Sequence, residues 1–156
     1  MSCAPFVSSP MEVVRKMLEI ANVGPDDVVY DLGCGDGRIL FMAVKEFHAK
    51  KAVGYEIRED LYKLTLNEIQ KQNLMGRVQV INKDLFKADI SEATVITLYL
   101  TSIANEKLKQ KLMNEARHGS RVVSHDFRIP GWQASKEESF NNHVIYLYTL
   151  PYAYKM

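Results

Sequence analysis

The densest chemistry in the chain is the segment Asp31-Leu32-Gly33-Cys34-Gly35-Asp36-Gly37, which follows the apolar run Val28-Val29-Tyr30 and opens an amphipathic stretch. Glycines at alternate positions let the backbone turn tightly, adopt positive φ and lie close against a ligand. The unpartnered amide hydrogens at the start of the following helix favour an electron-rich group. A dinucleotide-binding turn would need its third glycine at position 38, where Arg38 stands. Asp31 and Asp36 flank the glycines and would repel a pyrophosphate. A nucleoside carrying an amino group and a sulfonium would be attracted instead, so the charge pattern favours a cationic nucleoside over NAD.

Two more carboxylates follow at the ends of apolar runs. Glu56 stands in Gly54-Tyr55-Glu56-Ile57, and Asp84 in Asn82-Lys83-Asp84-Leu85. Singly, Asp31 reads as a turn former, Glu56 as a solvated strand end and Asp84 as a loop cap. Together, at three consecutive strand ends and with this glycine spacing, they form a constellation that resembles the class I S-adenosylmethionine (SAM) dependent methyltransferases. The resemblance implies SAM as cofactor, bound by Asp31 and by the turn residues Gly33, Cys34, Gly35 and Gly37. It implies that Glu56, with Ile57 beside it, takes the two ribose hydroxyls, since a carboxylate accepts two hydrogen bonds. Asp84 would read the adenine amino group, with Leu85 near the ring.

A narrower resemblance spans most of the chain. Val29 to Arg38, Ser9-Pro10, Arg121-Val122-Val123-Ser124-His125, Gly131-Trp132 and the run His143-Val144-Ile145-Tyr146-Leu147-Tyr148 look like a small archaeal protein-lysine methyltransferase family. That family is related to mitochondrial lysine methyltransferases and more distantly to the Dot1 histone methyltransferases. The resemblance implies methyl transfer to lysine side-chain amines of protein substrates. The brevity of the chain, with no long insertion to build a selective pocket, suggests broad specificity. Two alternatives stay open: a methyltransferase acting on RNA or a small molecule, and a SAM-binding module without catalysis.

No catalytic dyad announces itself. Ligands in open α/β sheets lie beyond the carboxyl ends of the strands, which directs attention to Tyr99, Thr101 and Ser102 and to His125, Asp126 and Phe127. Tyr99 and Phe127 are expected to shape an amine channel, and His125 or Asp126 to orient it. The Pro-Pro element usual in enzymes that methylate exocyclic amines of bases is absent after Tyr99. Cys34 lies inside the turn and Cys3 in the N-terminal arm, which disfavours a cysteine nucleophile.

These residues need a scaffold, and the apolar pattern supplies one. Strands are expected at 28–30, 52–57, 78–81, 94–100, 121–125 and 143–150, and helices at 38–47, 60–73 and 105–116. A first helix follows Ser9, with Ser9 as its cap, Pro10 in its first turn and Glu12 completing a capping box. Strands alternating with helices argue for a parallel sheet covered on both faces. The late switch to Gly131-Trp132 and then strand suggests an antiparallel edge hairpin, with Tyr146 and Tyr148 on one of its faces. The expected fold is therefore α/β: the Rossmann-like class I methyltransferase fold, whose mostly parallel sheet has seven strands on the family resemblance. One domain, 1–156, accounts for the chain, with 1–9 as an arm that can serve as a lid.

Composition narrows the function classes. Twenty Lys plus Arg against 19 Asp plus Glu give no bulk attraction to nucleic acid or to an anionic membrane. Two cysteines make no disulfide framework, and four scattered histidines lack zinc-ligand spacing, so no metal is expected. No signal peptide and no membrane-spanning run is visible. The expectation is a cytoplasmic monomer acting on proteins, with nucleic acid disfavoured.

Overall fold

The computed structural model describes residues 7–155. Its elements run α1 (Met11–Ile20), β1 (Val28–Leu32), α2 (Arg38–Lys45), β2 (Lys51–Tyr55), α3 (Glu59–Lys71), β3 (Val78–Ile81), a 3-10 turn (Leu85–Lys87), β4 (Val95–Leu98), α4 (Ser102–Glu115), β5 (Arg121–His125), β6 (Lys136–Phe140) and β7 (His143–Thr149). The strands form one seven-stranded sheet in the order β3-β2-β1-β4-β5-β7-β6. The pairs from β3 to β5 are parallel; β7 runs antiparallel between β5 and β6.

Strand β1 is buried at all five positions, as expected for a central strand with both faces covered. Alternate residues serve two separate cores. Val29, Ala52, Val95, Val123 and Ile145 face the side carrying α1, α2 and the inner residue Ile69 of α3. Tyr30, Val53, Ile96, Val122 and Tyr148 face the side where Leu108 and Leu112 of α4 pack.

Several local expectations are corrected. Ser9 does not cap α1: Pro10 holds the cap position and no side chain bonds there, so Glu12 completes no capping box. The Ser9 hydroxyl is used elsewhere, against His125. Helix α4 begins at Ser102, three residues before the expected start, because Thr101 accepts a hydrogen bond from the Ala104 amide at 3.1 Å. The expected antiparallel hairpin does form at the sheet edge, as β6 and β7 with β6 outermost, and Tyr146 and Tyr148 share one face. The part of the N-terminal arm before Val7, with Pro5 and Phe6, lies outside the described residues.

The approach of α2 to β2 depends on one missing side chain. A Cβ on Gly54 would lie 2.6 Å from Cys34 Cβ and Sγ and 2.7 Å from Leu40 Cδ1, and buried Cys34 and Leu40 have no room to retreat. Gly24 has nothing within 4 Å of a built Cβ. Gly54→Ala is therefore expected to cost about 1–3 kcal/mol by overpacking. Gly24→Ala should stay within about 0.5 kcal/mol of the parent, as open surface positions do. Urea unfolding of the two variants checks the contrast.

Candidate functional site

The strand order reverses direction between β1 and β4, the switch point at which open α/β sheets bind ligands. Asp31 of β1 and Thr97 of β4 are partners in register there. The Thr97 hydroxyl donates to Asp31 Oδ1 at 2.8 Å. Asp31 is only 4% exposed. Burial pushes its carboxyl up to about 7; the Thr97 hydrogen bond opposes the rise, and neighbouring Glu56 and Asp36 add to it.

Beyond Leu32 the chain turns into α2 through Gly33, Gly35 and Gly37, at φ of 94°, 57° and 83°. The turn is braced from β2. The amides of Gly33 and Cys34 donate to the Tyr55 carbonyl at 2.9 and 3.0 Å. Glu56 Oε1 accepts from the Gly35 amide at 2.8 Å, and Oε2 from the Arg58 amide at 2.9 Å. Thr65 of α3 donates to the Gly35 carbonyl at 3.0 Å. Burial pushes the Cys34 thiol well above its ordinary range, with Asp31 and Glu56 adding, so it is no nucleophile.

Asp36 contributes less free charge than its position suggests. Burial works against its ionised form, yet Arg38 outweighs this and holds the carboxyl below the usual range. Arg38 grips both Asp36 oxygens, at 3.0 and 2.6 Å. The same guanidinium donates to the Ser9 carbonyl at 3.0 Å, tying the turn to the chain ahead of α1. Asp36 is therefore largely neutralised by Arg38 and adds little to the repulsion of a pyrophosphate.

An open pocket of about 340 Å³ lies between this turn, Ser8–Ser9 and Tyr99, with Asp31, Gly33 and Cys34 in its wall. Glu56, Ile57, Asp84 and Leu85 follow β2 and β3 along the same sheet edge, outside the pocket wall. Asp84 Oδ1 also accepts from the Phe86 amide at 3.0 Å, the loop-capping role its position allowed. The donor set fits a long cationic nucleoside: a desolvated carboxylate with one hydroxyl partner in the pocket, and two more acids in line beyond it.

The expected orienting residues stand behind the pocket rather than in it. Tyr99 stacks on His125 with ring centroids 3.9 Å apart, and Phe127 lies 6.4 Å from Tyr99. His125 is fully buried. Its Nδ1 meets Ser9 Oγ at 2.8 Å and its Nε2 meets His143 Nδ1 at 2.8 Å. Burial lowers His125 to about 4, against the pull of Asp126 and with His143 reinforcing the fall, so the ring is neutral. Asp126 bonds the Val144 amide at 3.0 Å and His143 at 3.0 Å.

Sequence reasoning missed two participants, Thr97 and Asn105, and the contacts made by two residues it did name, Ser9 and His143. Thr97 had one signal, a polar residue inside the apolar run Val95-Ile96-Thr97-Leu98. Buried Asn105 donates to the carbonyls of Phe127 and Arg128 at 3.1 and 3.0 Å, clamping the segment that carries Phe127. Ser9 and His143 had no local signal for their contacts with His125, because both reach it from distant parts of the chain.

The Asp31 carboxyl yields a pH prediction. Its folded value, about 7, exceeds the unfolded value near 4, so the native state holds the proton longer. Its stabilising contribution is complete below about pH 4 and is lost as pH rises to about 7. Asp31→Asn keeps an acceptor for Thr97 and removes the titration. The ligand-free variant is expected to match the parent near pH 4 and to melt several degrees higher at pH 8. Equal melting temperatures at pH 8 would contradict the assignment.

Comparison with known proteins agrees with this geometry. The family model described as the ANTKMT methyltransferase domain matches residues 31–136. A protein-lysine N-methyltransferase of Saccharolobus islandicus is 49% identical over 150 residues, covering 94% of this chain and 93% of that protein. The adenine nucleotide translocase lysine N-methyltransferase of Mus musculus is 31% identical over 83% of this chain, which spans only 56% of its length. A crystal structure of an RNA methyltransferase from Salinibacter ruber, in complex with S-adenosyl-L-homocysteine, superposes with a TM-score of 0.90 at 41% identity. It covers 93% of this chain and 94% of that one. With a matching family model and relatives along most of its length, the chain belongs to the ANTKMT methyltransferase domain family and is a SAM-dependent methyltransferase.

Proposed function

We propose that the protein methylates lysine side-chain amines of protein substrates, with broad specificity, in the cytoplasm and as a monomer of one domain. The observation that carries this reading is the aromatic flank of the pocket. Tyr99 lines it beside Asp31, and Phe127, more than a third exposed, sits next to Tyr99. The relative from Saccharolobus islandicus, named a protein-lysine N-methyltransferase, supports it.

When bound, SAM supplies a methyl group activated by positive sulfur. Asp31 would take its amino group, Glu56 the ribose hydroxyls and Asp84 the adenine amino group, with Ile57 and Leu85 against the ring. The backbone of Gly33, Cys34, Gly35 and Gly37 would follow the ligand, and Val7, Ser8 and Ser9 would cover it. A lysine at pH 7 is neutral only about once in 2,500 molecules, roughly 4.6 kcal/mol uphill. Tyr99 and Phe127 would strip water from the amine, which disfavours the ammonium form. His125 and Asp126 would act through Tyr99: the buried imidazole sets the ring plane by stacking, and Asp126 helps fix the imidazole through His143. Both are positioning residues.

RNA is the second reading, favoured by the Salinibacter ruber structure, described as an RNA methyltransferase. The charge at the site supports lysine over it. The arginines following β1, β2 and β5, namely Arg38, Arg58 and Arg128, are each paired with a carboxylate. Such pairs leave these three arginines little free positive charge for a phosphate backbone, on which nucleic-acid affinity rests.

Incubation with methyl-labelled SAM and a cell extract, then digestion and mass spectrometry, tests the substrate. Label on lysine side chains of many proteins is the expected result; label in RNA would replace the acceptor, and binding without turnover would leave a non-catalytic module. Tyr99→Ala should lower turnover by about 10²-fold, as a misplaced amine would, while SAM affinity changes much less. Turnover equal to the parent would remove Tyr99 from the mechanism.

A further inference from the structure

Three ligand-type atoms from the end of β5 and the start of β7 converge on one point behind Tyr99. His125 Nε2 lies 2.8 Å from His143 Nδ1. His143 Nδ1 lies 3.0 Å from Asp126 Oδ2, and that oxygen lies 3.4 Å from His125 Nε2. Nothing in the chain spacing announces the cluster. It arises because His125 pairs with Ile145 across the antiparallel strands, so His143, two residues further, falls on the same face.

Hydrogen bonds alone satisfy this triangle poorly. In the plane of its ring, each imidazole nitrogen holds either a hydrogen or a lone pair. Hydrogens on both facing nitrogens would collide across 2.8 Å. A single hydrogen on His143 Nδ1 must serve two acceptors at once. A single hydrogen on His125 Nε2 leaves the His143 lone pair facing a carboxylate oxygen at 3.0 Å with nothing between them. Three electron-pair donors therefore surround a space that accepts one proton at most.

A divalent cation suits that space. Zinc binds imidazole nitrogen and carboxylate oxygen at about 2.0–2.2 Å, which sets ligand atoms of a tetrahedral site about 3.4 Å apart. The two shorter sides of the triangle, 2.8 and 3.0 Å, need to open by about half an ångström. The second ring nitrogen of His125 is already bonded to buried Ser9 Oγ at 2.8 Å, the outer partner that orients a ligating histidine. Asp126 is held in the left-handed region, at φ of 66°, a conformation that costs free energy in a non-glycine residue and collects at ligand-binding positions. His125 is buried, while the side chains of Asp126 and His143 are about a quarter exposed, so a fourth position opens toward solvent.

We propose that His125, Asp126 and His143 bind one divalent transition-metal ion of the zinc type, with water in the remaining position. The ion would clip β5 to β7 and fix the ring on which Tyr99 stacks. The proposal is independent of the methyl acceptor.

The test uses the full chain, stripped with a chelator and titrated with cobalt(II) as a spectroscopic stand-in for zinc. One equivalent should bind, with the visible absorption of a low-coordinate site, and zinc should displace it. His143→Ala should weaken binding by at least about tenfold, and Ser9→Ala by about tenfold, as loss of an orienting partner does. The double variant His48→Ala/His118→Ala, altering exposed histidines elsewhere, should bind like the parent. Should His143→Ala fail to fold, Asp126→Asn and the zinc-dependent rise in melting temperature of the parent give the same reading. Absence of cobalt binding by the parent, or unchanged binding in both His143→Ala and Asp126→Asn, would overturn the proposal.

Discussion

The arrangement of the site depends on keeping a carboxylate out of water at the centre of a parallel sheet. Asp31 sits where the strand order reverses, with both neighbouring strands paired and one hydroxyl donating to it. An acid in such a place is poorly solvated and poorly compensated, which is why its proton is held so firmly. On the proposed function, a cation bound beside it would relieve this, and the desolvation carried by the free state would be recovered on binding.

Parallel pairing then sets out the rest. Neighbouring parallel strands finish at one edge, so acids at the ends of β1, β2 and just beyond β3 fall in a row without any sequence linking them. The turn is stiff because it is held from its neighbours. Tyr55 and Glu56 brace its amides, Thr65 takes its carbonyl, and Gly54 lets Cys34 settle against β2. On the far side of the pocket a second tier does for Tyr99 what β2 does for the glycines: His125, Ser9 and His143 stand behind the ring.

Much of the fold was legible in the sequence, and the reason is periodicity. Val28-Val29-Tyr30 and Arg121 to His125 are short, apolar and flanked by breakers, so their positions follow from local pattern alone. The glycine turn and the acids Asp31, Glu56 and Asp84 were legible because their spacing repeats with the strands. What escaped notice depends on pairing between distant segments. Ser9 looked like a cap because Ser before Pro at a helix start commonly is one; a buried histidine competed for the same hydroxyl. Thr101, with no distant competitor for its hydroxyl, made the local cap that Ser9 did not and so set the start of α4. His143 showed only a β-strand pattern, since its neighbours become known when β7 inserts beside β5. Asp36 is the exception: it read as free charge although a guanidinium only two residues away folds back onto it.

The wall behind Tyr99 also has a consequence for the order of assembly. The glycine turn closes against β2 across a short stretch of chain, whereas Ser9 and His125 are 116 residues apart and His143 joins them from the last strand. Contacts of such separation pay their loop-closure entropy before they return anything. As the chain leaves the ribosome, the contacts that brace the glycine turn are all drawn from residues ahead of β4, while the surface backing the aromatic ring waits for β7. Local opening of that last strand would part His143 from His125 and slacken the wall behind Tyr99. The turn and the ring that share one pocket are therefore secured by early and late contacts of the same sheet.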